Sequence, residues 1–207
     1  MAPLNAGRPV SGAVLCGGRS SRFGTDKALA DAAGVPMGLR VANAMRHTGA
    51  DPVVAVGGTA GAALGLITVP DRHPDQGPLG GLATVLRWAG EGLVLVAPCD
   101  LPLLRPEHLA PLVAAATVPV EDDTPGRRAG GGRAAVAVID ERPQPMLACW
   151  PARWGRPVQA GFDEGWRTWR SALDAGEWIG VPLPPEAVAD ADTPEALGAL
   201  LDPGSND

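Results

Sequence analysis

The chain has 207 residues, 45% of them hydrophobic, a mean hydropathy of +0.06 and a formal charge of −6 at pH 7. That is enough chain for one α/β domain, expected over residues 1–207 with tails at 1–9 and 202–207 that carry no structure, and too little for two full domains. The acidic balance excludes general nucleic-acid binding, and apolar stretches such as 92–98 are far too short to cross a bilayer.

The apolar run Val10 to Val14 predicts a first, buried strand. It passes directly into Leu15-Cys16-Gly17-Gly18-Arg19-Ser20-Ser21-Arg22-Phe23-Gly24-Thr25-Asp26-Lys27. Paired glycines after a strand let a ligand approach the main chain closely. Consecutive N–H groups in such a turn form an anion site, which flanking cations strengthen. The expected guest is a nucleoside triphosphate. No G-x-x-x-x-G-K-[ST] run is present, and the glycines miss the G-x-G-x-x-G register, so neither a P-loop nor a dinucleotide fingerprint applies.

Gly34-Val35-Pro36 breaks the chain before a helix carrying Met37, Val41 and Met45 at helical spacing, which Gly49 stops. Val53 to Val56, ending in Gly57-Gly58, predicts a second strand, and Leu66 to Val69 a third that ends at Pro70-Asp71. Arg72 to Gly77 reads as a loop, and Pro78 suits the first position of a helix with Leu79, Leu82 and Leu86 inward. Leu93 to Ala97 is uninterrupted and apolar, as a strand buried on both faces is, and runs into Pro98-Cys99-Asp100. Pro106 opens a helix with Leu109, Leu112 and Val113 inward. Glu121 to Arg133 is rich in glycine and charge and reads as a mobile loop. Strand-like segments resume at Ala134 to Ile139 and Met146 to Trp150, and a last helix follows Asp190-Ala191-Asp192-Thr193-Pro194-Glu195. Strands alternating with helices predict a single doubly wound, mostly parallel sheet with a Rossmann-like nucleotide-binding half.

In such sheets ligands bind outside the carboxyl ends of the strands. The Leu15 to Lys27 loop, Asp71 and Asp100 all fall there. Asp100 can hold a divalent cation, for which one or two carboxylates suffice, although a lone strand-end aspartate is also an ordinary turn cap. Cys16, Cys99 and Cys149 include no C-x-x-C pair and read as small buried residues, the first two at the ends of neighbouring strands. His47, His73 and His108 need no chemical role. Five of the six tryptophans, Trp150, Trp154, Trp166, Trp169 and Trp178, fall in the C-terminal third. They read as core anchors first and as a stacking surface for a ring second.

The first loop resembles the signature L-A-G-G-x-S-x-R-M-G-x-D-K of small nucleotidyltransferases, and in particular of the molybdenum cofactor guanylyltransferases. Leu15, Gly17, Gly18, Ser20 or Ser21, Arg22, Gly24, Asp26 and Lys27 match, whereas Cys16 and Phe23 replace the alanine and methionine. The resemblance extends over about residues 11–197. It implies Mg²⁺-dependent transfer of GMP from GTP onto the terminal phosphate of a molybdopterin-type cofactor, in the cytoplasm, with contacts to molybdoenzymes or a cofactor chaperone. By the same resemblance Arg22, Lys27 and Asp100 are catalytic. Leu15, Cys16, Gly17, Gly18, Lys27, Asp71, Gly77, Pro78, Leu79 and Asp100 contact the nucleotide, and Asp100 binds the metal; Asp192, an aspartate where the family has asparagine, is read as a second metal ligand. Gln144-Pro145-Met146 corresponds to a short motif near the acceptor. The late motif carries Asp190 and Asp192 where the family has asparagines, as in cytidylyltransferases acting on the same cofactor. Transfer of another base, another phosphorylated acceptor, or a nucleotide-binding subunit without turnover remain the alternatives.

Overall fold

A computed structural model describes residues 8–17, 26–118 and 132–202. Gly18, Arg19 and Arg22, most of the expected 121–133 loop and nearly all of both expected tails lie outside the described residues. Strands β1 (Val10–Leu15), β4 (Val53–Val56), β5 (Ile67–Val69), β6 (Leu93–Pro98), β7 (Ala134–Ile139), β8 (Arg142–Pro151) and β9 (Trp178–Pro182) form one seven-stranded sheet. Its order is β5-β4-β1-β6-β8-β7-β9. Only β8 runs against the others; β5, β4, β1 and β6 are parallel, and β7 is parallel to β9. The expectation of a mostly parallel, doubly wound sheet is met.

Residues alternate between the sheet faces, and each face recruits its own helices. Val14, Ala55, Leu95 and Ala97 pack with α1 (Met37–His47) and α3 (Pro106–Thr117), whose Val41, Met45, Leu109 and Leu112 are fully buried. Ala13, Val54, Val96 and Trp150 face the other layer, α2 (Pro78–Ala89), α4 (Gly155–Asp163) and α5 (Trp169–Asp174). A small third cluster holds Met37 and Ala32 against Ala191, just ahead of α6 (Pro194–Leu201), and Leu197 within that helix. Ala32 belongs to a two-stranded hairpin, β2 (Asp31–Ala32) and β3 (Val35–Pro36).

Trp150 and Trp154 are fully buried and meet edge to face at 5.4 Å, and Trp169 stands 5.9 Å from Trp150. These three are core anchors, the first of the two roles read for them. Trp178 is 40% exposed. Among the described residues, no helix is long and apolar enough to cross a membrane.

Candidate active site

The chain runs outward from β1 to β4 and β5, then returns to place β6 on the other side of β1. Strand order therefore reverses at β1, and the crevice beyond its carboxyl end is where a doubly wound sheet takes a ligand. Leu15 lies opposite Pro98 in the β1–β6 register, and the Cys99 N–H donates to the Leu15 carbonyl at 3.1 Å. Cys16 and Cys99 thus leave adjacent strands side by side, both buried. The Cys16 side chain beside it, together with burial, pushes the Cys99 thiol far above its ordinary range.

The end of β4 is packed against the same turn. Gly58 has φ +61°, and a Cβ there would fall 2.5 Å from the Cys16 carbonyl oxygen. Only glycine gives both the left-handed backbone and the close approach. Beyond this junction opens a cavity of about 320 Å³ lined by Leu15, Gly17, Val56, Asp71, Asp75, Gly77, Pro78, Gly81 and Met146. Leu15, Gly17, Asp71, Gly77 and Pro78 were all expected at the site from sequence. Leu79 is fully buried against the sheet and Cys16 is buried, and among the described residues neither belongs to the lining of this cavity. Leu79 is turned inward by the helical periodicity of α2. Val56 and Asp75 join the wall without having been read as site residues, whereas Gly81 belongs to the Gly77-Pro78-Leu79-Gly80-Gly81 segment that the family resemblance places at the nucleotide, and Met146 lines the wall as well. The Gln144-Pro145-Met146 resemblance was the signal for Met146.

The floor is fixed by hydrogen bonds. Asp71 Oδ1 accepts from the His73 N–H at 2.9 Å and from the Thr84 hydroxyl at 3.1 Å, and Thr84 Oγ1 accepts from the Arg72 N–H. His73 stacks on Phe162 at 4.2 Å, and its Nε2 lies 3.1 Å from Gln159 Oε1. The Arg167 guanidinium lies over the Phe162 ring, 4.4 Å from its centre, while the Arg167 carbonyl accepts from the Leu79 N–H. His73 therefore braces the loop that carries Asp71 and Asp75.

A second cluster gathers at the end of β6. Asp26 caps a short 3₁₀ turn, its Oδ1 accepting from the Ala28 N–H at 3.1 Å, and the turn presents Lys27. The Lys27 ammonium donates to Asp100 Oδ2 and Asp192 Oδ1, both at 2.6 Å, with the lysine side chain 12% exposed. Desolvation lowers its affinity for the proton, but the hydrogen bonds and charges of Asp100 and Asp192 outweigh it and hold Lys27 above the usual lysine value. Asp100, Asp190 and Asp192 offer carboxylate oxygens that all lie within 4.8 Å of one another. An all-oxygen, anionic donor set is what Mg²⁺ or Mn²⁺ takes, and an ammonium already held between two of its members shows that a cation fits there. The structure thus brings together Lys27, Asp100 and Asp192, separated by up to 165 positions in sequence.

A mostly parallel sheet with a glycine-lined cavity at its switch point, beside clustered carboxylates and a lysine, defines a nucleotide-binding α/β protein of the nucleotidyltransferase type. The sequence is specific enough to narrow this further. Residues 12–176 match the MobA-like NTP transferase domain, and the chain belongs to that family. It is 44% identical over 108 residues to a molybdenum cofactor guanylyltransferase of Xanthomonas euvesicatoria, covering 52% of this chain and 55% of the relative. A probable molybdenum cofactor guanylyltransferase of Haloferax mediterranei is 32% identical over 173 residues, with 77% and 75% covered. Molybdopterin-guanine dinucleotide biosynthesis protein A from Archaeoglobus fulgidus has the same fold, with a TM-score of 0.68 at 22% identity over 93% of this chain and 97% of that one.

Proposed function

We propose that the chain transfers GMP from GTP onto the terminal phosphate of a molybdopterin-type molybdenum cofactor, releasing pyrophosphate, with Mg²⁺ as the metal. The observation that carries this reading is the cavity whose wall combines Leu15 and Gly17 at the end of β1 with Asp71, Gly77 and Pro78 from the connection leading from β5 into α2. The names of the Xanthomonas and Haloferax relatives support guanylyl transfer over the other bases.

In this reaction an acceptor phosphate oxygen bonds to the α-phosphorus while the bond to the bridging oxygen breaks and pyrophosphate leaves. The nucleophile is already anionic near neutral pH, so the protein's contribution is alignment and charge neutralisation rather than a strong base. Leu15 and Gly17 bring main chain to the nucleotide, and α2 begins at the cavity wall with Pro78 at its first position, presenting the positive end of its dipole. Asp71, held by Thr84 and the His73 N–H, keeps one acceptor oxygen fixed toward the base and ribose. Lys27, and Arg22 by the family resemblance, neutralise the departing pyrophosphate. Asp100 and Asp192 would hold the divalent cation, which when bound supplies charge neutralisation at the α-phosphate and the incoming phosphate.

The test is thermal-shift titration with GTP, CTP, ATP and UTP in Mg²⁺, followed by transfer assays with the molybdenum cofactor as acceptor. A ligand at a hundred times its Kd adds about 2.7 kcal/mol of stability. GTP is expected to shift the transition most and to label the acceptor. A larger response to CTP, or GTP binding without transfer, overturns the reading.

A further inference from the structure

Lys27 is the only lysine among the chain's 17 Lys and Arg residues. Every other cationic side chain is an arginine, so the lysine at this one position stands apart from the chain's general usage. An arginine could not stand in there without loss. Its planar fork demands side-on partners, whereas an ammonium is a compact point charge on a flexible four-carbon stem. The Lys27 Nζ lies 2.6 Å from one oxygen of Asp100 and 2.6 Å from one of Asp192. Those two residues, with Asp190, make up the oxygen cluster within 4.8 Å. A metal ion bound by the same oxygens would occupy the space the ammonium now fills, since Mg²⁺–oxygen distances are about 2.0–2.1 Å. Like charges so close together would also repel strongly in a partly buried setting.

We infer that Lys27 is the resident counter-ion of the carboxylate cluster in the nucleotide-free protein, and that the divalent cation and the Lys27 ammonium hold this seat in turn. This rests on the metal reading of Asp100 and Asp192 given above. When the metal takes the seat, Lys27 is released, and its stem lets the ammonium swing to the triphosphate that arrives with the metal. One side chain thereby serves two anionic partners in sequence. The carboxylates never face an incoming triphosphate bare, because a cation lies between them in both states. Metal alone is a poor ligand, because it must evict a paired ammonium. Metal with nucleotide is a good one, because the phosphates receive the ammonium that leaves.

The single lysine makes the exchange measurable in the unmodified protein. Amine acylation followed by mass spectrometry reads one ε-amine, with the α-amine of the chain as reference. Lys27 acylation is expected to be slow in the free protein, to rise several-fold at saturating Mn²⁺ without nucleotide, and to fall again when Mn²⁺ and a non-hydrolysable GTP analogue are both present. Calorimetric titration with Mn²⁺ alone gives the second readout. Lys27→Met is expected to bind Mn²⁺ about tenfold tighter than the parent, a gain of about 1.4 kcal/mol. Acylation that saturating Mn²⁺ leaves unmoved overturns the exchange, as does a Lys27→Met variant that binds Mn²⁺ no tighter. If instead Asp100→Asn binds Mn²⁺ with the GTP analogue as well as the parent does, the metal reading itself has failed, and the exchange with it.

Discussion

The backbone N–H of Ala191 donates to the carbonyl oxygen of Asp100 at 3.1 Å. This main-chain bond fastens the segment before the last helix to the end of β6, and it explains why Asp190 and Asp192 reach a carboxylate some 90 positions earlier. Ala191 itself is fully buried beside Met37 and Leu197, while Asp192 pairs with Lys27 and Asp190 joins it in the carboxylate cluster. The site is therefore assembled by an apolar anchor between two charged residues.

Thr193 completes that anchor by capping α6, its Oγ1 accepting from the Ala196 N–H at 3.2 Å. Thr193→Ala is expected to cost about 1 kcal/mol in urea unfolding, as lost N-caps do. It should also weaken Mn²⁺ binding in the presence of nucleotide several-fold, because Asp190 and Asp192 then lose their fixed approach. Unchanged metal binding in a variant that shows the stability loss would separate the cap from the site.

Gly58 tests the junction of β4 with the first loop. Gly58→Ala places a Cβ against the Cys16 carbonyl at a backbone angle that side chains rarely adopt. The strain is expected to cost about 1–3 kcal/mol. KM for the nucleotide should rise while kcat changes less, since the residue touches the loop and not the reacting atoms. A variant with parental KM and stability would show that the loop does not depend on this contact.

How far the sequence revealed these arrangements depended on where the information lay. The buried strands were legible because β-branched and leucine runs ended in glycine, proline or aspartate, and α2 because Pro78 stands at its first position. The β7–β8 hairpin was not, because its turn is Asp140-Glu141, with φ of +47° and +63°, in place of the Asn-Gly pair that announces such turns. Pro143 and Pro145 also hid the first half of β8, which starts at Arg142 rather than Met146. Helix α4 was missed because Gly155, Pro157 and Gly161 dilute its pattern; it is held by Val158 and Phe162 packing into the tertiary core. At the site, the loop and strand-end residues announced themselves by type. Lys27 lying on Asp100 and Asp192 could not be read, because it depends on a backbone bond between distant segments.

The buried tryptophans separate packing from acceptor recognition. Trp150→Ala is expected to lower stability by about 3–5 kcal/mol, the usual cost of removing a buried large aromatic. Trp178→Ala, at a 40% exposed position, should change it by less than about 0.5 kcal/mol. Urea unfolding checks both, and a Trp150 variant of parental stability would contradict its place in the core.

Cys149 provides a pH-dependent marker. It is completely buried, and desolvation pushes its thiol well above the usual value of 9.0. A raised folded-state value favours the protonated form, so the associated stability is fully present below pH 9 and declines as pH rises beyond it. The parent should therefore lose stability above pH 9 more steeply than Cys149→Ala, and Cys149 should resist alkylation at pH 8 until the protein unfolds. Rapid alkylation in the native state would place the thiol within reach of solvent.

Asp100→Asn bears most directly on the chemistry. The carboxylate sits at the end of a strand buried on both faces, so the substitution keeps shape and fold while removing one negative charge. Two consequences follow from the contacts in hand. Lys27 loses one of its two anionic partners, leaving Asp192. The metal loses the most sheltered of its three carboxylates, the Asp100 side chain being 22% exposed against 57% for Asp192. The cavity wall at Leu15, Gly17, Asp71 and Gly77 is untouched, so nucleotide affinity should change by only a few-fold. Turnover should fall a hundredfold or more, about 3 kcal/mol of transition-state stabilisation, because charge would then develop at the α-phosphate without a correctly held cation. Raising the Mg²⁺ concentration should recover part of that loss, since a weakened site can be refilled by mass action. Steady-state kinetics at several Mg²⁺ concentrations, alongside equilibrium binding of GTP, read both quantities. Near-parental turnover would return Asp100 to the role of a strand-end turn residue paired with Lys27 for stability alone.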